Sequence, residues 1–91
     1  MTALHWSVIA HHADVAKTLL EAGADAGAVD RFGYTPLLYA ASIDFGDADT
    51  ATVLLQAGAD PGAKDQKGET AVSHARDIPY TRAALEKAGA K

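Results

Sequence analysis

Apolar residues recur at helical spacing in short stretches of the chain and thin out between them. Val15 and Leu19 stand four apart, with Leu20 widening the stripe. Ala51 and Leu55, with Leu54 beside them, repeat the arrangement. Between these stretches Gly, Asp, Ala and one Pro punctuate residues 24–34 and 59–69, the composition of turns. The pattern predicts paired helices at about 3–10 and 13–22, 36–45 and 48–57, and 71–76 and 79–88. The turns at 24–34 and 59–69 are predicted to project sideways as hairpin-like fingers. Their Gly and Pro content argues against formal strands.

The helix ends carry their own signals. Thr2, Thr35 and Thr70 suit N-caps, where a hydroxyl accepts a hydrogen bond from a free backbone N–H. Pro36 follows at the first helical position, where its missing N–H costs nothing. Gly23, Gly58 and Gly89 each follow a Leu- and Ala-rich stretch, where a left-handed C-cap favours glycine. Asp30 and Asp65 are placed to tie down the fingers through nearby backbone amides.

These signals recur because the chain repeats itself. GADAGAVDRFGYT at 23–35 and GADPGAKDQKGET at 58–70 are identical at eight of 13 positions, at an offset of 35. The pattern Asp30-x-x-Gly33-x-Thr35-Pro36-Leu37, then Ala40-Ala41, then Leu54-Leu55-x-Ala57-Gly58-Ala59-Asp60, resembles the signature of the ankyrin-repeat family. Thr2-Ala3-Leu4-His5 and Leu19 to Asp25 match it in the first copy, and Asp65-x-x-Gly68-x-Thr70 in the third. The resemblance spans essentially all 91 residues. It implies an all-α solenoid of stacked antiparallel helix pairs joined by hairpin-like turns. One domain, 1–91, is expected, with repeats at approximately 1–29, 30–64 and 65–91.

The copies differ in length. From capping Thr to closing Gly they span 21 residues (Thr2 to Gly23), 23 (Thr35 to Gly58) and 19 (Thr70 to Gly89). The second carries an insertion around Ser42–Asp47, and the third a deletion around Arg76–Pro79. Arg76, Asp77, Arg82, Glu86, Lys87 and Lys91 make a polar C-terminal cap. The first copy has no turn before Thr2 and no matching cap, so a segment of a longer protein is expected. The chain is read as a monomer, with the uncapped end open to self-association.

Composition changes this picture in one respect. Alanine fills 21 positions, while Leu, Ile, Val and Phe together number 18. A large central core is excluded at this length. Alanines at recurring stations, among them Ala22/Ala57/Ala88, Ala24/Ala59/Ala90 and Ala40/Ala75, instead suggest thin helix pairs stacked closely along one axis.

Chemistry is sparse. Zero Cys removes thiolate nucleophiles and sulfur-based zinc sites. A net charge of −4 with scattered Lys and Arg argues against a nucleic-acid surface. No apolar run is long enough for a membrane helix, and no signal peptide is visible, so a cytoplasmic setting is the default. His11 and His12 are neighbours and cannot share an ion on one helix face, and no pair of histidines stands four apart. His11 stands where the family usually has Gly, and copy two has Gly46, so a positive φ there would strain it. His74 carries no special signal. Asp44 to Asp49 is the densest acidic patch, but the twelfth residue from Asp44 is Leu55, so a calcium loop fails. Asp47 is expected to cap the next helix and Asp49 to complement its dipole. No metal, cofactor or catalysis is expected.

The resemblance also implies that fingertips and first helices share one face, and that His5 hydrogen-bonds the neighbouring turn. Contact positions free of the signature are Arg31, Phe32 and Tyr34 in the first finger, and Gln66, Lys67 and Glu69 in the second. Ile9 and Ala10, Ser42, Ile43 and Asp44, and Arg76 and Asp77 extend them along the helices. Arg beside two aromatics is a hot-spot composition, yet Phe32 and Tyr34 equally suit packing between fingers. Trp6 and Tyr39, 33 residues apart, are read as packing residues. The expected function is binding another protein through this face. A structural spacer within a longer repeat stack is the alternative, and a histidine-dependent metalloenzyme a distant third.

Overall fold

The computed structural model describes residues 2–43 and 45–89. Six helices follow one another: α1 (Ala3–Ile9), α2 (Ala13–Glu21), α3 (Pro36–Ser42), α4 (Asp49–Gln56), α5 (Ala71–His74) and α6 (Pro79–Lys87). They pair in sequence order, α1 with α2, α3 with α4 and α5 with α6. First helices stack on first helices, as α1 on α3 and α3 on α5, and second helices on second, as α2 on α4 and α4 on α6. This is the nearest-neighbour packing of a solenoid.

The three Thr caps act as the sequence suggests. The Oγ1 atoms of Thr2, Thr35 and Thr70 accept from the backbone N–H of His5 (3.2 Å), Leu38 (3.2 Å) and Ser73 (3.3 Å). Second helices end in a shared motif. The amide of Ala24 donates to Leu19 and that of Gly23 to Leu20; Ala59 and Gly58 do the same to Leu54 and Leu55. These bonds occupy carbonyls that a helix end leaves free. α4 begins one residue later than a cap at Asp47 requires. Ala48 is the N-cap, and Asp47 instead accepts from the amide of Asp49 at 3.0 Å, so it still serves the first turn. Asp49 lies in that turn, where a carboxylate favours the helix dipole.

α3 and α5 are shorter than expected. The chain leaves α3 at Ile43, whose backbone is extended (φ −113°, ψ 130°). The fingers are turns rather than strands; among the described residues the second is closed on itself by an isolated bridge between Lys64 and Thr70. His11 adopts φ 60°, the left-handed conformation that its counterpart Gly46 also takes at 86°. The side chain is held there against Phe45, ring on ring at 4.5 Å, with Asp47 Oδ2 at 3.4 Å.

The core runs along the stack. Leu4 and Val8 of α1, Leu37 and Leu38 of α3, Leu54 of α4 and Leu85 of α6 are fully buried. Among the described residues half of the buried apolar side chains are alanine, including Ala40 and Ala41 of α3 and Ala71 and Ala75 around α5. Helices without bulky side chains approach closely, which lets a chain poor in large residues exclude water. Ala22, Ala57 and Ala88 are exposed, however. They close the second helices as C-cap residues and do not space the stack.

Gly33 and Gly68 occupy the same finger position with φ 79° and 80°. A Cβ at Gly33 would lie 2.6 Å from Gln66 Cγ and 3.0 Å from its backbone N, whereas one at Gly68 would meet nothing within 4 Å. Gly68→Ala therefore reports the backbone penalty alone, about 1–2 kcal/mol. Gly33→Ala adds a clash between fingers, about a further 1–3 kcal/mol. Urea titrations of the two variants should differ in midpoint, with Gly33→Ala lower. Equal midpoints would show that the fingers separate at no cost.

Candidate functional site

The two fingers and α3 enclose a groove of 530 Å³. Phe32 and Tyr34 of the first finger form one wall. Tyr39, Ser42 and Ile43, from α3 and its end, form the floor. Asp65, Gln66 and Lys67 of the second finger form the other wall. Fingers and first helices thus line one face, as the repeat pattern implies.

Each finger is built on its aspartate. Asp30 Oδ1 accepts from the amides of Phe32 (2.9 Å) and Tyr34 (3.0 Å), and its Oδ2 accepts from the Tyr39 hydroxyl. Asp65 Oδ1 accepts from Lys67 (2.9 Å) and Glu69 (3.0 Å), and its Oδ2 lies 2.9 Å from His74 Nε2. Both aspartates are buried. Burial alone would raise the pKa of Asp30, but bonds from Tyr39, Tyr34 and Phe32 outweigh it and the net shift is downward. For Asp65 the Glu69 amide is the largest influence, and with His74 and Lys67 it overcomes burial, again lowering the pKa. The same contact acts oppositely on Tyr39. Burial, then its bond to Asp30 and the Asp30 charge, push the phenol up to about 12.

His5 is fully buried and fixes the first finger to α1. Its Nε2 faces the carbonyl oxygen of Tyr34 at 2.8 Å. A carbonyl only accepts, so Nε2 carries the proton and Nδ1 accepts from Thr2, whose amide lies 3.2 Å away. The ring stands edge-on to Tyr39 at 5.7 Å. The expected tie between His5 and the neighbouring turn is therefore present.

The structure divides the aromatic pair. Phe32 is 54% exposed, with the Arg31 guanidinium 5.0 Å above its ring. Tyr34 is half-buried and packs against Tyr39 at 4.8 Å and His74 at 5.5 Å. Arg31, Gln66, Lys67 and Glu69 are exposed, and Ile43 is half-buried at the groove floor. Gln66 Nε2 donates to the Arg31 carbonyl at 3.2 Å and joins the two fingertips. Asp44 lies outside the described residues. Trp6 does not pack as expected: it is 58% exposed, with the His12 ring beside it at 5.8 Å. Tyr39 is a packing residue and also the hydroxyl partner of Asp30, a role its helix position alone did not disclose.

A model of ankyrin repeats in three copies matches residues 1–65. The chain belongs to the ankyrin-repeat family. A search of curated proteins finds no match. Among solved structures, this ankyrin stack is similar to an ankyrin repeat domain from Acinetobacter baumannii, with a TM-score of 0.92 and 34% identity. The match covers 100% of this chain and 49% of that one, so this chain spans about half the length of the neighbour. Ankyrin repeats are generally protein-interaction modules. No helix among the described residues is long and apolar enough to cross a membrane.

Proposed function

We propose that this ankyrin stack binds another protein through the groove between its two fingers, without catalysis of its own. The observation that carries the reading is the exposed Phe32 under Arg31 at the mouth of a groove floored by Tyr39 and Ile43. An aromatic held half out of the surface beside a guanidinium is the composition that carries most interface energy. Arg31 and Lys67 place a cation on either finger. Asp65 adds little negative potential at the surface, because its carboxylate is spent on the finger's own amides and His74. The groove suits a partner segment with an apolar anchor flanked by carboxylates. Arg31, Phe32, Tyr34, Ile43, Gln66, Lys67 and Glu69 remain its contact residues, and Asp44 adjoins them in sequence. Tyr34 has a second duty in holding the finger.

The test is affinity capture with the 91-residue chain, followed by mass spectrometry, in parallel with two variants. Arg31→Ala/Phe32→Ala should lose the captured partner and keep the helical circular dichroism of the parent. Adding Tyr34→Ala should lose capture as well, with a lower melting temperature. Undiminished capture by Arg31→Ala/Phe32→Ala would place the binding face elsewhere.

A further inference from the structure

The two fingers close onto the following helix by the same bond made from different chemistry. In the first, the Tyr39 hydroxyl meets Asp30; in the second, the His74 imidazole meets Asp65, nine residues away in both cases. A second position changes with it. Tyr34, in the first finger, is replaced in the second by Glu69, whose Oε2 lies 3.8 Å from the same His74 Nε2. An Asp–Tyr–Tyr set thereby becomes Asp–Glu–His. We propose that Asp65, Glu69 and His74 form a binding site for a divalent transition-metal ion of the zinc type.

The geometry is close to what such an ion needs. One ligand atom from each residue lies within 4.8 Å of the others. Tetrahedral zinc, with bonds of about 2.0–2.2 Å, holds its ligands roughly 3.4 Å apart. The His74–Asp65 separation of 2.9 Å and the His74–Glu69 separation of 3.8 Å bracket that distance. Asp65 is already oriented, since two backbone amides hold Oδ1 and leave Oδ2 facing the imidazole. Glu69 is half-exposed and swings in without disturbing the core. Imidazole with carboxylate oxygens suits zinc better than calcium or magnesium, which prefer all-oxygen shells. The ion takes the place of the proton between Nε2 and Oδ2; a neutral imidazole then carries its proton on Nδ1, and an imidazolium releases one proton to solvent. Water completes the fourth position.

The first finger supplies a control within the chain. His74→Tyr recreates the Tyr39–Asp30 bond, so the variant keeps its fold and loses the nitrogen ligand. Calorimetric titration of the chain with zinc chloride should show one ion per chain. His74→Tyr should weaken binding at least tenfold, Glu69→Gln should weaken it, and His11→Gln/His12→Gln should leave it intact. Zinc should also raise the melting temperature of the parent and not that of His74→Tyr. The proposal is overturned if the parent shows no saturable binding at millimolar zinc, or if His74→Tyr or Glu69→Gln binds as tightly as the parent.

Discussion

Replacing Leu38 by Ala lowers the melting temperature of the chain by roughly 10 °C or more. Leu38 is fully buried in α3, the helix that touches α1, α4 and α5. Removing a buried leucine costs about 2–5 kcal/mol, the upper values where neighbours cannot collapse into the space. Half of the buried apolar core is alanine, whose single methyl has little reach to fill such a space. A chain of this length holds only about 5–14 kcal/mol in total. Each kcal/mol corresponds to roughly 4–8 °C at this size. The loss falls in the middle unit, so both neighbouring interfaces weaken together. Thermal circular dichroism checks this, and an unchanged midpoint would mean that the repeats do not stack through α3.

Asp30→Ala should destabilise the chain by about 2–4 kcal/mol, because it leaves two finger amides and the half-buried Tyr39 hydroxyl without their acceptor. Asp30→Asn keeps an oxygen for the amides and should cost much less. The carboxylate also sets the acid limb of stability. Asp30 and Asp65 have folded pKa values below the ordinary 3.8, so their contribution is complete above that value. It is lost as pH falls through the lower folded values. Tyr39 runs the other way: with a folded pKa of about 12 against 10.0 unfolded, its contribution is complete below pH 10 and lost as pH rises toward 12. Urea midpoints measured against pH should fall below about pH 4, and fall again above pH 10. Asp30→Asn should flatten part of the acid limb.

Much of this fold is legible in the repeat itself. The Thr caps, the closing glycines and the finger aspartates all follow from local chemistry repeated at a fixed period. The ends of α3 and α5 did not, because apolar residues run on past Ser42 and the turn at Ile43 is set by how the unit closes. Bonds between Asp30 and Tyr39, and between Asp65 and His74, join residues nine apart. No helical or strand period brings such residues together. A signal was nonetheless present: both lie four residues after a capping Thr, at the same distance from a finger Asp. Phe32 and Tyr34, two residues apart, were indistinguishable by type. Exposure separates them, since only Tyr34 turns inward onto Tyr39 and His74.

Photo-crosslinking tests the binding face most directly. p-Benzoylphenylalanine is placed at position 32 in one preparation and at exposed position 21, on the second-helix layer, in another. The partner captured by the parent chain should crosslink from position 32 and not from position 21. Crosslinking from position 21 with none from position 32 would contradict the groove between the fingers as the site of binding.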